Sequence, residues 1–520
     1  MRKARPVVGS FWLAVAIFTL AASTVYAFGP VIGTERNRNL RLQESSSMLW
    51  EYHRLTRGEN RQFFSYPARD TSFRSRFGNE QPKAMLYYAD TLGSLFDGGR
   101  HTYAVAASPV LGLDFWGVEA LDDTIGPGVE AGLFIRGYAD SLDFDLDARM
   151  YAERHSAGVD RRAGRGPKSF DGEVFDVQSE ERNGGADYVS FSRYRAHLGF
   201  NYAFTRLELA RDVMHWGPGY YNNLALNQFA LPYNMLTWDL KFGPLHVLSA
   251  YADLRVNSWS YSRDNLNDRN MYAHRYELNL FKNNFTVGMS EIQVLYNENK
   301  PWLFTPVVPL FIEKGNYTEH VNNGALSLDM NLRLFRLVRL YGEFYLDDME
   351  SPMAVYENKY SNNRWAAMLG TQVAHGFQVG SRVLEAGSIA EIARVEPYTY
   401  CHYDTAQAQM AHLGYPLGNP NGPNSLSVDW NLYGRLDLGD QVRIRRISVG
   451  FRNQWLWKGA DEGSEIDDPY KTVKKRFVYG AKMRYNGTPS ISFQWSRVAL
   501  HGEYTFGYDP AVYLRTSLKW

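Results

Sequence analysis

The feature that most constrains the fold is a period-two alternation of apolar and polar residues that recurs along the chain. In the stretch SLDFDLDARMY, apolar residues alternate with Asp143, Asp145, Asp147 and Arg149. The stretches RYRAHLGFNYAF and LSLDMNLRL repeat this pattern. Because successive side chains of a β-strand point to opposite faces, each stretch predicts a strand with one apolar and one polar face.

The connections between these strands are alternately short and long. Short turns are predicted near Asp140, Thr205, 243–244, 283–284, 335–336, Gly376 and 439–440. Long polar stretches are predicted at 153–189, 211–235, 257–271, 297–323, 348–363, 397–427 and 458–475. Strands of about ten residues joined in this way are typical of outer-membrane barrels, and the pattern contains roughly 16 to 18 of them, so we predict an all-β, antiparallel transmembrane barrel of about 18 strands. Near the end, the apolar parity changes, which indicates either a turn at 496–497 or a β-bulge.

The two termini indicate export and insertion. Residues 1–27 have a basic start, an apolar run shorter than a spanning helix and a cleavage site after Ala27, as a signal peptide does. The last strand ends at Trp520, an aromatic end that resembles the signature read by the barrel-assembly machinery. We therefore expect a protein of the bacterial outer membrane, with this machinery and outer-membrane lipid as partners.

Three regions are predicted. The signal peptide is followed by a periplasmic segment, 28–82, and by a barrel, 83–520, with long extracellular or inward-folded loops. Met48, Leu49, Tyr52 and Leu55 lie at helical spacing, so the periplasmic segment is predicted to be partly helical, although a linker with a chance pattern is the alternative.

Composition excludes several classes of protein. Lys and Arg together number 56 and so do Asp and Glu, so the net charge of +0 suggests no nucleic-acid partner. The single cysteine, Cys401, excludes an internal disulfide framework. Aromatic residues make up 15% of the chain, and Tyr and Trp favour sites between apolar and aqueous surroundings, such as membrane interfaces.

No motif identifies a metal site, a cofactor site or a catalytic residue, and we expect a protein that is not an enzyme. The three aspartates of SLDFDLDARMY lie on a strand, so a lumen-facing ladder paired with Arg193 and Arg195 is favoured over a calcium loop. The stretch YCHYDTAQAQMAH holds Cys401, His402, Asp404 and His412 without the spacing of a zinc site. His215 with Asp212 resembles part of a hydrolase site, but no nucleophile accompanies it.

One long connection, RDVMHWGPGYYNNLALNQFALPYNML, has the most specific pattern. Gly217, Pro218 and Gly219 form a predicted structural turn, of type II if Pro218 takes position i+1 and Gly219 the positive-φ position i+2. Aromatic faces and amides suit a polysaccharide, and the predicted ligand-binding residues are Arg211, Trp216, Tyr220, Tyr221, Asn222, Asn223 and Asn227. The structural alternative is an inward-folded loop that packs and constricts the pore.

This connection resembles the signature segment of the Wzi-type capsule-assembly proteins, in which a basic residue, an aromatic-Gly-Pro-Gly element, Leu-x-Leu and Pro-aromatic follow one another. Here these elements are Arg211, 216–219, 224–226 and 232–233. ARVEPYTYCHYD, followed by PLGNPNGPNS, resembles a second segment of that family. The resemblance implies an 18-stranded barrel occluded by inward loops, with a lectin-like role in retaining capsular polysaccharide.

Three functions are expected from these patterns together with what the family resemblance implies. The first is a non-enzymatic protein that binds and anchors or assembles capsular or extracellular polysaccharide at the cell surface. The second is a porin-like channel for saccharides or small polar solutes. A barrel hydrolase is the weaker third alternative.

Overall fold

The computed structural model describes 18 stretches of the chain. They are 86–93, 100–118, 123–139, 141–155, 173–179, 187–255, 269–281, 284–296, 298–317, 322–335, 337–348, 363–379, 382–403, 408–438, 443–469, 476–495, 498–508 and 510–518. The predicted signal peptide, the predicted helix before residue 83 and the terminal Trp520 lie outside these stretches. Within them, no helix has both the length and the apolar character needed to span a membrane.

The described residues form 22 strands, a 3-10 helix at Pro301–Phe304 and a short helix α1 at Leu310–Tyr317. The strands are β1 Leu86–Gly93, β2 Arg100–Val118, β3 Asp123–Ala139, β4 Leu142–His155, β5 Glu173–Ser179, β6 Asp187–Tyr202, β7 Thr205–Asp212, β8 Tyr233–Phe242, β9 Leu245–Leu254, β10 Arg269–Leu280, β11 Phe285–Tyr296, β12 Asn323–Leu334, β13 Val338–Asp348, β14 Arg364–Val379, β15 Arg382–Val395, β16 Ala411–His412, β17 Tyr415–Pro416, β18 Ser425–Asp437, β19 Arg446–Lys458, β20 Met483–Gln494, β21 Val498–Gly507 and β22 Ala511–Leu518.

Eighteen of these strands close into one antiparallel barrel, which confirms the predicted fold class. The wall consists of β2 to β4, β6 to β15 and β18 to β22, each paired with its neighbour along the chain. The barrel closes where β22 pairs with the second half of β2, from Leu111 opposite Leu518 to Val118 opposite Ala511. Four of the described strands lie outside the wall. β1 pairs with the first half of β2, β5 pairs with the first residues of β6, and β16 and β17 form a separate small hairpin.

The alternation predicted from sequence separates the two faces of the wall. On β6, Leu198 and Phe200 are exposed on the outer face, whereas His197 is buried on the inner face. Buried ion pairs line the inner face, including Arg275 with Asp329 at 2.6 Å. An apolar outer face around a polar interior is the arrangement of a barrel that spans a lipid bilayer.

Two predicted turns are resolved by strand pairing. The short connection predicted near Gly376 is present but lies further along the chain, because Gly376 pairs with Glu385 inside the ladder and β14 continues to Val379. The next residue, Phe377, is an exposed apolar residue of the outer face, so the alternation of a wall strand continues past the glycine, as the pairing does. The change of parity near the end falls between two strands, because β20 ends at Gln494, β21 begins at Val498 and the two pair antiparallel.

The aspartate ladder of β4 is paired with basic residues, but the predicted partners are partly wrong. Asp143 binds Arg206 of β7 at 2.5 Å, and Asp147 binds Arg149 of its own strand at 2.5 Å. Arg195 instead binds Asp212, at 2.8 Å, and the side chain of Arg193 lies outside the described part of the structure. Asp147 does lie opposite Arg195, but a long arginine side chain reaches past the residue directly opposite it, so the sequence pattern did not identify the partner.

Candidate functional site

The connection between β7 and β8, residues 213–232, crosses the lumen of the barrel. We call it the first plug loop. It contacts β18, which is nine pairing steps away from β7 around the 18-strand wall, on the opposite side. The contact is made by the amide nitrogen of Asn222, which donates to Asp429 at 2.9 Å. All its residues are buried, so the loop fills the interior and does not extend from the rim.

A carboxylate on the wall binds the tip of this loop. Glu391 of β15 accepts hydrogen bonds from three consecutive backbone N–H groups, of Tyr220 at 2.5 Å, Tyr221 at 2.9 Å and Asn222 at 2.9 Å. The hydroxyl of Tyr341 donates a fourth bond to it at 2.7 Å. Hydrogen bonds to a charged acceptor are stronger than neutral ones, so this carboxylate is a main anchor of the loop.

A second wall carboxylate binds the next residues of the loop. Glu343 of β13 accepts from the backbone N–H groups of Leu224 at 2.8 Å and Ala225 at 2.9 Å, and from the hydroxyl of Ser327 at 2.7 Å. The two glutamates together hold five backbone donors that have no partner in regular structure. Buried backbone groups must be paired, so the wall supplies what an irregular segment lacks.

The side chain of Asn222 connects the loop tip to several parts of the molecule. Its amide oxygen accepts from the hydroxyl of Ser427 at 2.8 Å and from the amide of Asn421 at 3.3 Å. Its partner Asp429 also binds Arg452, at 2.5 Å. Asn222 is therefore bound through its donor and its acceptor, which makes it a structural residue in this conformation.

The reversal at 217–219 differs from the predicted type II turn. The positive φ, 121°, belongs to Gly217, whereas Gly219 lies outside the left-handed region. In a type II turn the N–H of Tyr220 would bind the carbonyl of Gly217, but here it donates to Glu391. The side-chain oxygen of Asn223 accepts from the N–H of Gly219 at 2.6 Å and closes the reversal instead.

A second loop lies between β15 and β18, and its described residues, 396–403 and 408–424, cross the lumen in the opposite direction; we call these residues the second plug loop. Its hairpin β16–β17 reaches the strand ends on the far side, where the N–H of Leu413 donates to the carbonyl of Arg255 at 2.8 Å. The imidazole Nδ1 of His412 accepts from the N–H of Arg255 at 3.0 Å. Burial, together with the neighbouring arginines Arg211, Arg269 and Arg255, lowers the pKa of His412 to about 3.

The two plug loops bind each other where they meet. The N–H of Asn227 donates to the carbonyl of Leu417 at 2.7 Å. The hydroxyl of Tyr400 donates to the carbonyl of Leu224 at 2.9 Å and accepts from the N–H of Asn419 at 3.1 Å. Each loop therefore pairs polar backbone of the other, and the two form one body inside the barrel.

The predicted ligand-binding residues fall into two groups. Trp216, Tyr220, Tyr221, Asn222, Asn223 and Asn227 all lie in the first plug loop, and none is more than 4% exposed. This burial leaves no open ring face for a sugar in this conformation and agrees with the structural alternative, a packed loop. Arg211 is not brought together with them: its guanidinium lies over the ring of Tyr194, an exposed residue of the outer face, at 4.9 Å.

The remaining candidate residues serve other contacts. Asp212 binds Arg195 and His197, while the imidazole of His215 bonds the side-chain oxygen of Gln228. In the second plug loop the thiol of Cys401 donates to the carbonyl of Glu465 at 3.3 Å. Asp404 lies outside the described residues.

Sequence analysis missed the carboxylates that hold the plug. Glu343, Glu391 and Asp429 are acidic residues at inward positions of strands, among small or apolar inward neighbours such as Ala393 and Ile389. That pattern was the available signal. It predicts a buried carboxylate that needs a partner, but not that the partner is a loop from the far side of the barrel.

The long-loop end of the barrel also has exposed aromatic residues. Tyr479 and Tyr508 are each more than half exposed and each lies beside an arginine. The guanidinium of Arg476 is 4.7 Å from the ring of Tyr479, and that of Arg484 is 4.8 Å from the ring of Tyr508. The N–H of Tyr508 donates to the carbonyl of Tyr485, next to Arg484, so the two members of the second pair lie on connected backbone.

No protein-family profile matches the chain, and no curated protein matches it either. Among solved structures it is similar to Wzi of Escherichia coli, described as a carbohydrate-binding β-barrel involved in group 1 capsule assembly, with 13% identity and a TM-score of 0.48, over 79% of this chain and 84% of that one. It is also similar to OpdK of Pseudomonas aeruginosa, solved with vanillate, with 8% identity and a TM-score of 0.40, over 80% and 98% of the two chains. A third similar structure is OccK2 (OpdF) of P. aeruginosa in complex with glucuronate, with 9% identity and a TM-score of 0.40, over 79% and 95%.

Proposed function

We propose that this outer-membrane barrel binds capsular or extracellular polysaccharide at the cell surface and anchors or assembles it there, without catalysing a reaction. The observation that carries the proposal is the plug: two loops from opposite sides of the wall cross the lumen and bind each other. A barrel closed in this way has a solid platform at its long-loop end in place of an open channel. The resemblance of the first plug loop to the Wzi-type signature supports the same reading.

In this proposal the buried residues of the plug support the binding surface, and exposed residues contact the polysaccharide. Tyr479 and Tyr508 present ring faces that suit the C–H faces of sugars, and Arg476 and Arg484 supply charge for acidic groups. The aromatic and basic residues that were expected in the first plug loop are thus replaced by a set on the outside of the platform.

Retention of polysaccharide by cells tests the proposal. A deletion strain complemented with Tyr479→Ala/Tyr508→Ala is expected to shed polysaccharide into the medium, while the wild-type gene restores the cell-associated fraction. Tyr202→Ala is the matched control, because Tyr202 is even more exposed but lies at the short-turn end of the barrel. Normal retention by the deletion strain itself would rule out the anchoring function.

A channel for saccharides or small polar solutes is the second candidate, and the charged inner wall favours it. Pairs such as Arg149 with Glu130 and Arg452 with Asp429 give the lumen the polar lining of a pore. Planar-bilayer recordings separate the two functions. The anchoring protein is expected to conduct little because the plug is closed, whereas steady ohmic conductance by the unmodified protein would favour the channel.

A further inference from the structure

The outer face of the wall is not uniform around the barrel. On β14, exposed apolar residues extend from Phe377, near the short-turn end, through Val373 to Leu369. Ile392 of β15 is also exposed and lies directly opposite Leu369. A strand crosses the hydrocarbon of a bilayer in about 9 to 11 residues, so this apolar stretch covers the full height of the membrane.

On β10 and β11 the exposed apolar face ends much sooner. Leu278 and Val287 are exposed near the short turn, but the next outward positions include His274 and Glu291, which face each other across the strand pair. Both are buried although they point outward. They lie six residues from the short-turn ends of their strands, within the height that lipid covers elsewhere.

The residues that bury them belong to the described part of the connection between β11 and β12, which lies against the outside of the wall. We call residues 298–313 the outer-wall segment. The hydroxyl of Ser249 donates to the carbonyl of Phe304, and that of Tyr276 to the carbonyl of Pro306 at 2.7 Å. Glu291 accepts from the N–H of Leu310 at 3.1 Å. Polar outward groups of three strands are therefore paired by the backbone of this segment.

Apolar packing holds the same segment to the wall. Leu303 and Leu310 are buried in one cluster with Tyr272 and Leu295, both outward residues of the wall. The ring of Phe304 stacks on the outward Trp238, with centroids 6.3 Å apart. The segment is thus held against the outer wall by apolar packing as well as by hydrogen bonds.

The side of the outer-wall segment that points away from the barrel is apolar. Trp302 is 54% exposed, Val307 82%, Phe311 41% and Ile312 57%. These side chains continue the apolar band of the neighbouring strands across the sector in which the wall itself is polar. These large apolar side chains lie at the level of the wall that faces lipid, so hydrocarbon is a suitable environment for them. Exposing them to water is unfavourable.

We propose that the outer-wall segment is embedded in the hydrocarbon of the bilayer, where this segment, in place of the barrel wall, forms the lipid-contacting surface over β9 to β11. The occupant of this surface is the acyl-chain region of the bilayer, because the surface is continuous with the apolar band of the barrel. The polar residues beneath the segment are shielded from lipid by it.

Spin labels at Val307→Cys and Ile312→Cys test this in vesicles of phosphatidylethanolamine and phosphatidylglycerol. Collision with oxygen, which is concentrated in hydrocarbon, is compared with collision with nickel ethylenediaminediacetate, which stays in water. Leu369→Cys is the lipid-facing reference, and Glu462→Cys, on an exposed loop, is the aqueous one. Protein with only its buried Cys401 serves as the unlabelled blank.

Both labels are expected to behave like the label at Leu369, with oxygen collisions dominant and nickel collisions lost. Nickel collisions at the level of Glu462 would place the segment in water and overturn the proposal. Loss of both kinds of collision, with dipolar broadening between labels, would identify a second copy of the chain as the occupant and would overturn it as well. Two separate sites guard against one variant that fails to fold.

Discussion

Replacing Glu391 by Gln is the sharpest test of the plug. One carboxylate oxygen accepts from the N–H of Tyr220 and the hydroxyl of Tyr341, and the other accepts from the N–H groups of Tyr221 and Asn222. Glutamine keeps one accepting oxygen, so at best one of these pairs of bonds survives. Its NH2 group then faces two donors that have no acceptor.

The expected loss follows from the bonds removed. Two hydrogen bonds to a charged acceptor, at about 1.5 to 3 kcal/mol each, amount to about 3 to 6 kcal/mol for holding the tip of the loop. Each 1.4 kcal/mol is a factor of ten, so the opening equilibrium of the first plug loop shifts by about 10² to 10⁴. That shift is large enough to convert a rare opening into a frequent one.

Single-channel recording in planar bilayers measures this directly. Glu391→Gln is expected to produce opening events that the wild type rarely shows, together with new protease cleavage within 213–232. Asp329→Asn is the matched control, since Asp329 is also a buried inner-wall carboxylate but binds Arg275 of the wall. A Glu391→Gln variant as silent as the wild type, with an equally protected loop, would refute the view that this carboxylate holds the plug.

Three further predictions concern the same plug. Gly217→Ala is expected to destabilise the first plug loop, because Gly217 has a φ of 121° and an added Cβ would lie 2.7 Å from a carboxylate oxygen of Glu343. The expected result is faster hydrogen exchange in 213–232, and unchanged exchange would contradict the prediction. Tyr400→Phe leaves the backbone groups of Leu224 and Asn419 without this partner, at a cost of about 1 to 3 kcal/mol for each group, and a lower thermal midpoint by circular dichroism is expected. The pKa of His412 is lowered to about 3, below its value in the unfolded chain, so its contribution to stability is present above about pH 6.5 and is lost as pH falls from there toward 3. The thermal midpoint of His412→Gln should depend less on pH over this range than that of the wild type, and parallel curves would argue against it.

The barrel was predictable in most of its parts because its rules are local. Alternation requires only that neighbouring side chains point to opposite faces, and the alternate short and long connections follow from a chain that crosses the same layer repeatedly. The turn predicted near Gly376 was misplaced because it also relied on a local rule. A glycine is a local turn signal, but whether a strand ends at that residue depends on its pairing with the neighbouring strand.

The candidate site was only partly predictable. The first plug loop was identified from its rare composition, and the alternative of a packed inward loop agrees with its burial. The role of Asn222 depended on Ser427 and Asp429, about 200 residues away in the chain, which no local pattern specifies. Arg211 was grouped with the loop because it is adjacent in sequence, but the end of β7 directs it to the outer face.

The sequence by itself determined the all-β class, the two-faced strands and the two loops with special composition, because each of these depends on residues within a short window. The tertiary structure alone decided that the loops cross the lumen in opposite directions, that Glu391 and Glu343 hold one of them, and that 298–313 covers the outer wall. Closure of the wall between β2 and β22 makes these contacts possible. Contacts across a closed barrel join residues that are remote in sequence, and local periodicity carries no information about them.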